Sequence, residues 1–168
     1  RALVESYPTE VLAALTDEEG WEVEQVLLDD RTDDQIDHLA DFVRGAWHVV
    51  EPGRPLEWGR HIEVICAMLE RVFPGGEVRE LVITIPPGCM KSLLVSVFWP
   101  AWIWLKRPDH RQCFFSADDD VAVRDSRRTR QIITSEWYQA LLARASAREG
   151  REPWRLAGDQ NQRINFET

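Results

Sequence analysis

Cysteine is scarce in this 168-residue chain, which has only Cys66, Cys89 and Cys113, set far apart. With no Cys-x-x-Cys pair and an odd count, a cysteine-built zinc site and a disulfide framework are both excluded, and the thiols read as reduced. Cys66 and Cys113 are expected to be ordinary core residues. Long apolar runs are lacking too. The longest, Leu93 to Leu105, is interrupted by Ser96 and Pro100 and is too short to cross a bilayer. No basic-then-apolar leader is visible, so the sequence predicts a protein that is neither exported nor held in a membrane. Lysine is nearly missing: of 20 basic side chains only Lys91 and Lys106 are lysine. Internal repeats and low-complexity segments are absent as well.

The composition is 44% hydrophobic and 29% charged, which suits a folded globular protein. The net charge of −9 is unevenly placed. Residues 1–60 hold 5 basic and 15 acidic side chains, and residues 61–168 hold 15 basic and 14 acidic. The acidity belongs to the front of the chain, and the remainder is free to carry a local basic face.

Apolar spacing predicts helices over much of the chain. Thr9 to Leu15 is a short candidate. Thr16 with Glu19 fits a capping box ahead of Val23, Val26 and Leu27. Asp33 or Asp34 can cap a helix that places Ile36, Leu39, Phe42, Val43 and Ala46 on one face. Glu51-Pro52-Gly53-Arg54-Pro55 is a turn-rich joint. It divides an acidic helical lead-in, residues 1–52, from a second domain, residues 53–168. In the second domain His61 to Val72 reads as an amphipathic helix ended by Pro74-Gly75-Gly76. Leu81 to Ile85 reads as a strand, and apolar residues at both parities suggest burial on both faces. Ser92 to Leu105 is a helix that Pro100 is expected to kink or shorten. Gln112 to Phe115 reads as a second strand, Asp118 to Thr134 and Glu136 to Ala143 as helices, and Arg163 to Phe166 as the start of a third strand. This alternation predicts an α/β fold, a parallel sheet flanked by helices.

The segment Pro86-Pro87-Gly88-Cys89-Met90-Lys91-Ser92 lies between the first strand and the apolar helix. A phosphate-binding loop is usually spelled Gly, four residues, Gly, Lys, then Ser or Thr. With Lys91 and Ser92 on the last two places, Ile85 and Met90 occupy the glycine places. The physical requirement is looser than the spelling: converging backbone N–H groups at a helix start and one cation. The prolines stiffen the approach, and Gly88 can turn the chain with a positive φ. If Met90 must be left-handed, the cost is about 1–2 kcal/mol.

That loop resembles the deviant Walker A loop of the large terminase subunits of tailed bacteriophages. The following "LLVSVFWPAW", the later "FFSADDDVAVRDSRRTRQIITSEWY", the upstream "HIEVICAMLERV" and the closing "INFET" are similar to that family in the same order, over residues 55–168. The resemblance implies a P-loop NTPase-type fold and a motor that uses ATP and Mg2+ to drive double-stranded DNA into a capsid. It implies work in the cytoplasm of the bacterial host, in a homo-oligomeric ring with portal protein and small terminase subunit. Carried over by position, the nucleotide falls to Pro87, Gly88, Cys89, Met90, Lys91, Ser92 and Leu93. Lys91 would meet the β/γ phosphates and Ser92 the magnesium. Arg124, Arg127, Arg128 and Arg130 are candidates for acting on the γ-phosphate, with Arg124 and Arg128 foremost, or are surface salt-bridge partners. Ser116 and Asp118–Asp120 are expected either at the nucleotide edge or, for the acids, as a helix N-cap. Trp58 or His61 could stack on adenine, or be a core tryptophan and a surface histidine. Walker B acids and a nuclease are expected outside this stretch, so the chain alone is expected to bind nucleotide without a motor's turnover. Two other readings fit the same residues: a helicase-like nucleic-acid ATPase, and a non-hydrolysing assembly module that binds portal or small terminase.

Overall fold

The structure is a computed structural model, and it describes residues 31–156. The expected elements at Thr9–Leu15, Thr16–Leu27 and Arg163–Phe166 lie outside the described residues. The chain divides into two compact units, Arg1–Asp33 and Asp34–Thr168.

Residues 31–37 are helical, and after a break at His38 the helix α1 runs Leu39–Val50. His38 has an extended backbone, φ −119° and ψ 125°, so the single helix expected through Ala46 is two. Glu70 of the next helix reaches across to accept the Leu39 N–H at 2.6 Å, which satisfies one of the free amides that any helix start leaves. Helix α2 is Arg60–Arg71, with Ile62, Ile65, Cys66 and Leu69 buried at helical spacing. A continuous helical path then runs through α3 (Lys91–Leu93), a π turn (Leu94–Phe98) and α4 (Trp99–Lys106). Helix α5 is Asp119–Ile133 and α6 is Glu136–Arg148. The Asp118 carboxylate accepts the Asp120 N–H, and the Ser135 hydroxyl accepts the Tyr138 N–H, so both later helices start on side-chain caps.

From Leu93 to Leu105 the central path is apolar except at Ser96, and its neighbours cover it. The π turn packs against α1, α2 and α5, while α4 packs against α5 and α6. Leu94, Val97, Phe98, Ala101, Trp102, Ile103 and Leu105 are all buried. A helix with no polar face is stable in water only as a core element. Each large side chain buried there contributes about 1.5–3 kcal/mol. The indoles bolt the bundle together as donors: Trp99 to the Leu69 carbonyl, Trp102 to that of Ile36, and Trp154 to that of Trp104.

Pro100 does not break this path. A regular α-helix would have the Pro100 nitrogen donate to the Ser96 carbonyl, and proline has no N–H. The chain widens instead: the Trp99 N–H bonds the Leu94 carbonyl, five residues back. The Thr129 hydroxyl on α5 donates to the orphaned Ser96 carbonyl at 3.2 Å.

The parallel sheet is not there. Among the described residues there is no strand and no ladder, so the expected α/β fold with a P-loop NTPase-type sheet gives way to a helical bundle with irregular connections. Leu81–Ile85 forms no regular element; only Leu81, Ile83 and Ile85 pack on the core, and Val82 is 90% exposed. The run is covered on one face, not two. Gln112–Phe115 likewise forms no strand, with Phe115 93% exposed. A strand needs a neighbour to take its backbone hydrogen bonds, and the apolar runs alone do not supply one.

Candidate functional site

Proline twice over, at Pro86 and Pro87, brings the chain stiffly out of the Leu81–Ile85 run toward α3. Gly88 then takes φ +86°, a left-handed conformation that glycine adopts without penalty. Met90 follows at φ 59° and ψ 5° and is the N-cap of α3. Among the described residues it alone, apart from glycines, has a positive φ. A left-handed backbone at Met90 does what the missing glycine would have done, and costs about 1–2 kcal/mol of strain. The Met90 side chain packs half-buried against the core, which helps hold that conformation.

No side chain caps α3. The Met90 carbonyl accepts the Leu94 N–H at 2.9 Å and closes the first turn. The amides of Lys91, Ser92 and Leu93 therefore have no acceptor within the helix. Lys91 and Ser92 are exposed, and among the described residues neither side chain has a bonded partner.

These residues form one wall of a cavity of about 720 Å3. The segment from Ile85 to Leu93 lines one side. Arg124 and Arg128 of α5 line another, and the end of α1 with the following joint (Trp47, Glu51, Arg54, Pro55 and Glu57) completes it together with His61 and Ile62 of α2. Arg124 and Arg128 are four residues apart, so they share one helix face. The adjoining face of α5, about a quarter-turn round, is buried at Asp125, Thr129 and Ile132.

Two of the cavity's cations are already engaged. Arg124 donates from Nε and Nη2 to one Asp125 oxygen, at 3.0 and 2.9 Å. Arg128 donates to Glu51 at 2.8 Å. The Glu51 carboxylate sits on the C-cap of α1 and is 77 positions from Arg128 along the chain. The site thus holds the amides of the helix start, the unpartnered Lys91 ammonium, the partnered guanidiniums of Arg124 and Arg128, the Arg54 guanidinium on the facing joint, and two carboxylates, Glu51 and Glu57.

Pro87, Gly88, Cys89, Met90, Lys91, Ser92, Leu93, Arg124 and Arg128 come together around this single cavity. Ser116 and Asp118–Asp120 do not line it; the Ser116 hydroxyl accepts the Asp118 N–H and Asp118 caps α5. Arg127 and Arg130 are not on its wall either. His61 is, whereas Trp58 lies under the Arg44 guanidinium at 3.8 Å and donates to Glu63. Trp47, Arg54, Glu51 and Glu57 were not legible as site residues. They lie some 30–40 positions before the loop, and only the packing of α1 against α5 brings them in. Among the described residues no three His, Cys, Asp or Glu side chains cluster to hold a metal ion. A magnesium bound between phosphates needs few protein ligands, and the Ser92 hydroxyl is one that the cavity offers. Among the described residues no helix is long and apolar enough to cross a membrane. Comparison with protein-family models, with curated proteins and with solved structures finds no match for this chain.

Proposed function

We propose that the chain binds ATP with Mg2+ in the cavity between the Pro86–Ser92 loop and α5, as part of a DNA-packaging motor of the large-terminase kind. The observation that carries the binding step is the convergence of α3's free amides, Lys91, Arg124 and Arg128 on one cavity. Amides at a helix start favour anions, and each added cation strengthens a charge-assisted contact. In this reading Lys91 meets the terminal phosphates as a point charge, Ser92 supplies a hydroxyl to magnesium, and the α5 arginines flank the polyphosphate. Magnesium, when bound with the nucleotide, would supply charge neutralisation of the phosphates, and the Ser92 hydroxyl is the group that would help hold it. The wider assignment rests on the resemblance of the segments from residue 55 onward, and with it come double-stranded DNA, portal protein and small terminase as partners and the host cytoplasm as the place of work.

Titration calorimetry tests the binding step. Lys91→Ala is expected to weaken ATP-Mg binding by roughly tenfold or more, because one charge-assisted contact is worth about 1.5–3 kcal/mol. Its melting temperature is expected to stay that of the parent, since the ammonium is exposed and among the described residues unpartnered. Equal affinity in the variant would overturn the site.

A second reading has an observation of its own. Val82 and Phe115, 90% and 93% exposed, are apolar surface of the sort an assembly partner covers. If the chain is a non-hydrolysing assembly module, millimolar ATP-Mg leaves its melting temperature unmoved.

A further inference from the structure

The Glu51–Arg128 ion pair is not needed to close the phosphate cradle, yet it lies on the cavity wall beside it. Its geometry is close, at 2.8 Å, and it is partly buried, with the side chains 22% and 28% exposed. A carboxylate oxygen on a guanidinium occupies the same donor that a phosphate oxygen would take, with the same charge sign and a similar fork geometry. Glu51 is held by position: it ends α1, its N–H bonds the Trp47 carbonyl, and the Gln131 side chain of α5 donates to the neighbouring Val49 carbonyl. Arg128, in contrast, sits on a long flexible stem that can turn from one oxygen to another.

We infer that Glu51 is a specificity-determining residue of this cavity: it occupies Arg128, so only an anion with enough charge to draw Arg128 away gains that guanidinium as a further cationic contact beyond Lys91. A single phosphate would meet Lys91 and the amides alone. A triphosphate chain would reach further and recruit Arg128. The inference rests on the anion-site reading above, and it goes beyond that reading by assigning to Glu51 the discrimination between long and short phosphate chains.

The test is a double-mutant cycle on the full chain, with inorganic tripolyphosphate and inorganic phosphate as the probes and calorimetry as the readout. Glu51→Gln keeps the side chain's shape and removes its charge. It is expected to tighten tripolyphosphate binding by roughly tenfold where Arg128 is present, and by much less in the Arg128→Gln background. Inorganic phosphate is expected to gain at least as much, so that the preference for the longer chain narrows; a preference that widens would overturn the inference. An equal gain in both backgrounds would mean that Glu51 acts as a general repulsive charge, and no gain would mean that it does not mask Arg128; either result overturns the inference. Lys91→Ala runs alongside and separates the two ideas. Tripolyphosphate binding that depends on Lys91 but ignores Glu51 leaves the anion site standing without this role, whereas no binding to the parent chain removes both. Melting temperatures of all variants show whether α1 and α5 remain docked.

Discussion

Met90 and Gly88 carry the local strain and the local freedom of the loop, and they can be told apart by substitution. At Gly88 the backbone is left-handed at φ +86°, and a Cβ added there would meet no atom within 4 Å. Any penalty for Gly88→Ala is therefore conformational alone. It is expected to be about 1 kcal/mol, a fall of roughly 2–4 °C in Tm by thermal denaturation. A variant as stable as the parent would show that the loop relaxes elsewhere. At Met90 the strain is offset by half-buried packing, so the same residue is awkward for the backbone and useful to the core. This is why a strict motif search fails here: the pattern asks for glycine, while the physical demand is a positive φ. The demand was legible from the order turn, lysine, hydroxyl, helix. Glu51 was not, because nothing in a helix-ending glutamate tells which guanidinium will meet it 77 positions later.

Among the elements, the helices were legible because apolar spacing reports a buried face whatever lies opposite. Ile62, Ile65, Cys66 and Leu69 point inward as their period requires, and Asp118 and Ser135 cap the helices that follow them. The strands failed for the complementary reason. Apolar content at Leu81–Ile85 tells that the segment is covered, and half of it is; whether its amides find a partner is a property of other segments. Pro100 shows a third case, in which a local rule predicts trouble and tertiary contact resolves it. The one hydroxyl proton of Thr129 is shared between the Ser96 carbonyl and the α5 carbonyl of Asp125, at 3.2 and 3.0 Å. Thr129→Val keeps the shape but leaves the Ser96 acceptor without its donor, and is expected to cost about 1–3 kcal/mol in chemical denaturation. In a Pro100→Ala background the helix has its own N–H for that carbonyl, so the cost is expected to shrink. Equal costs in the two backgrounds would show that the Thr129 contact does not compensate the proline.

For the molecule as a whole, the buried thiol of Cys66 links stability to alkaline pH. Burial first, and then the nearby Glu70 charge, push it from 9.0 up to about 12. The unfolded chain releases this proton near its ordinary value while the folded chain keeps it. The stabilisation is therefore full below about pH 9 and is lost as pH rises toward 12. Lys106 works in the opposite sense. Burial between the Trp102 and Phe73 rings lowers its pKa, so the penalty of keeping it charged is relieved as pH rises. Between pH 9 and 10 the denaturation midpoint of the parent is expected to fall more steeply than that of Cys66→Ala; parallel slopes would refute the assignment. The widened turn at Leu94–Phe98 has a larger geometric reach than its five residues suggest. It holds one more residue than an α-turn, and one residue is about 100° of helical rotation. That extra step sets the angle at which Lys91 and Ser92 leave the bundle relative to the tryptophans that anchor Trp99–Lys106. The loop's aim toward the α5 arginines is thus indexed by a proline nine positions away, much as the pitch of a screw sets where its slot comes to rest.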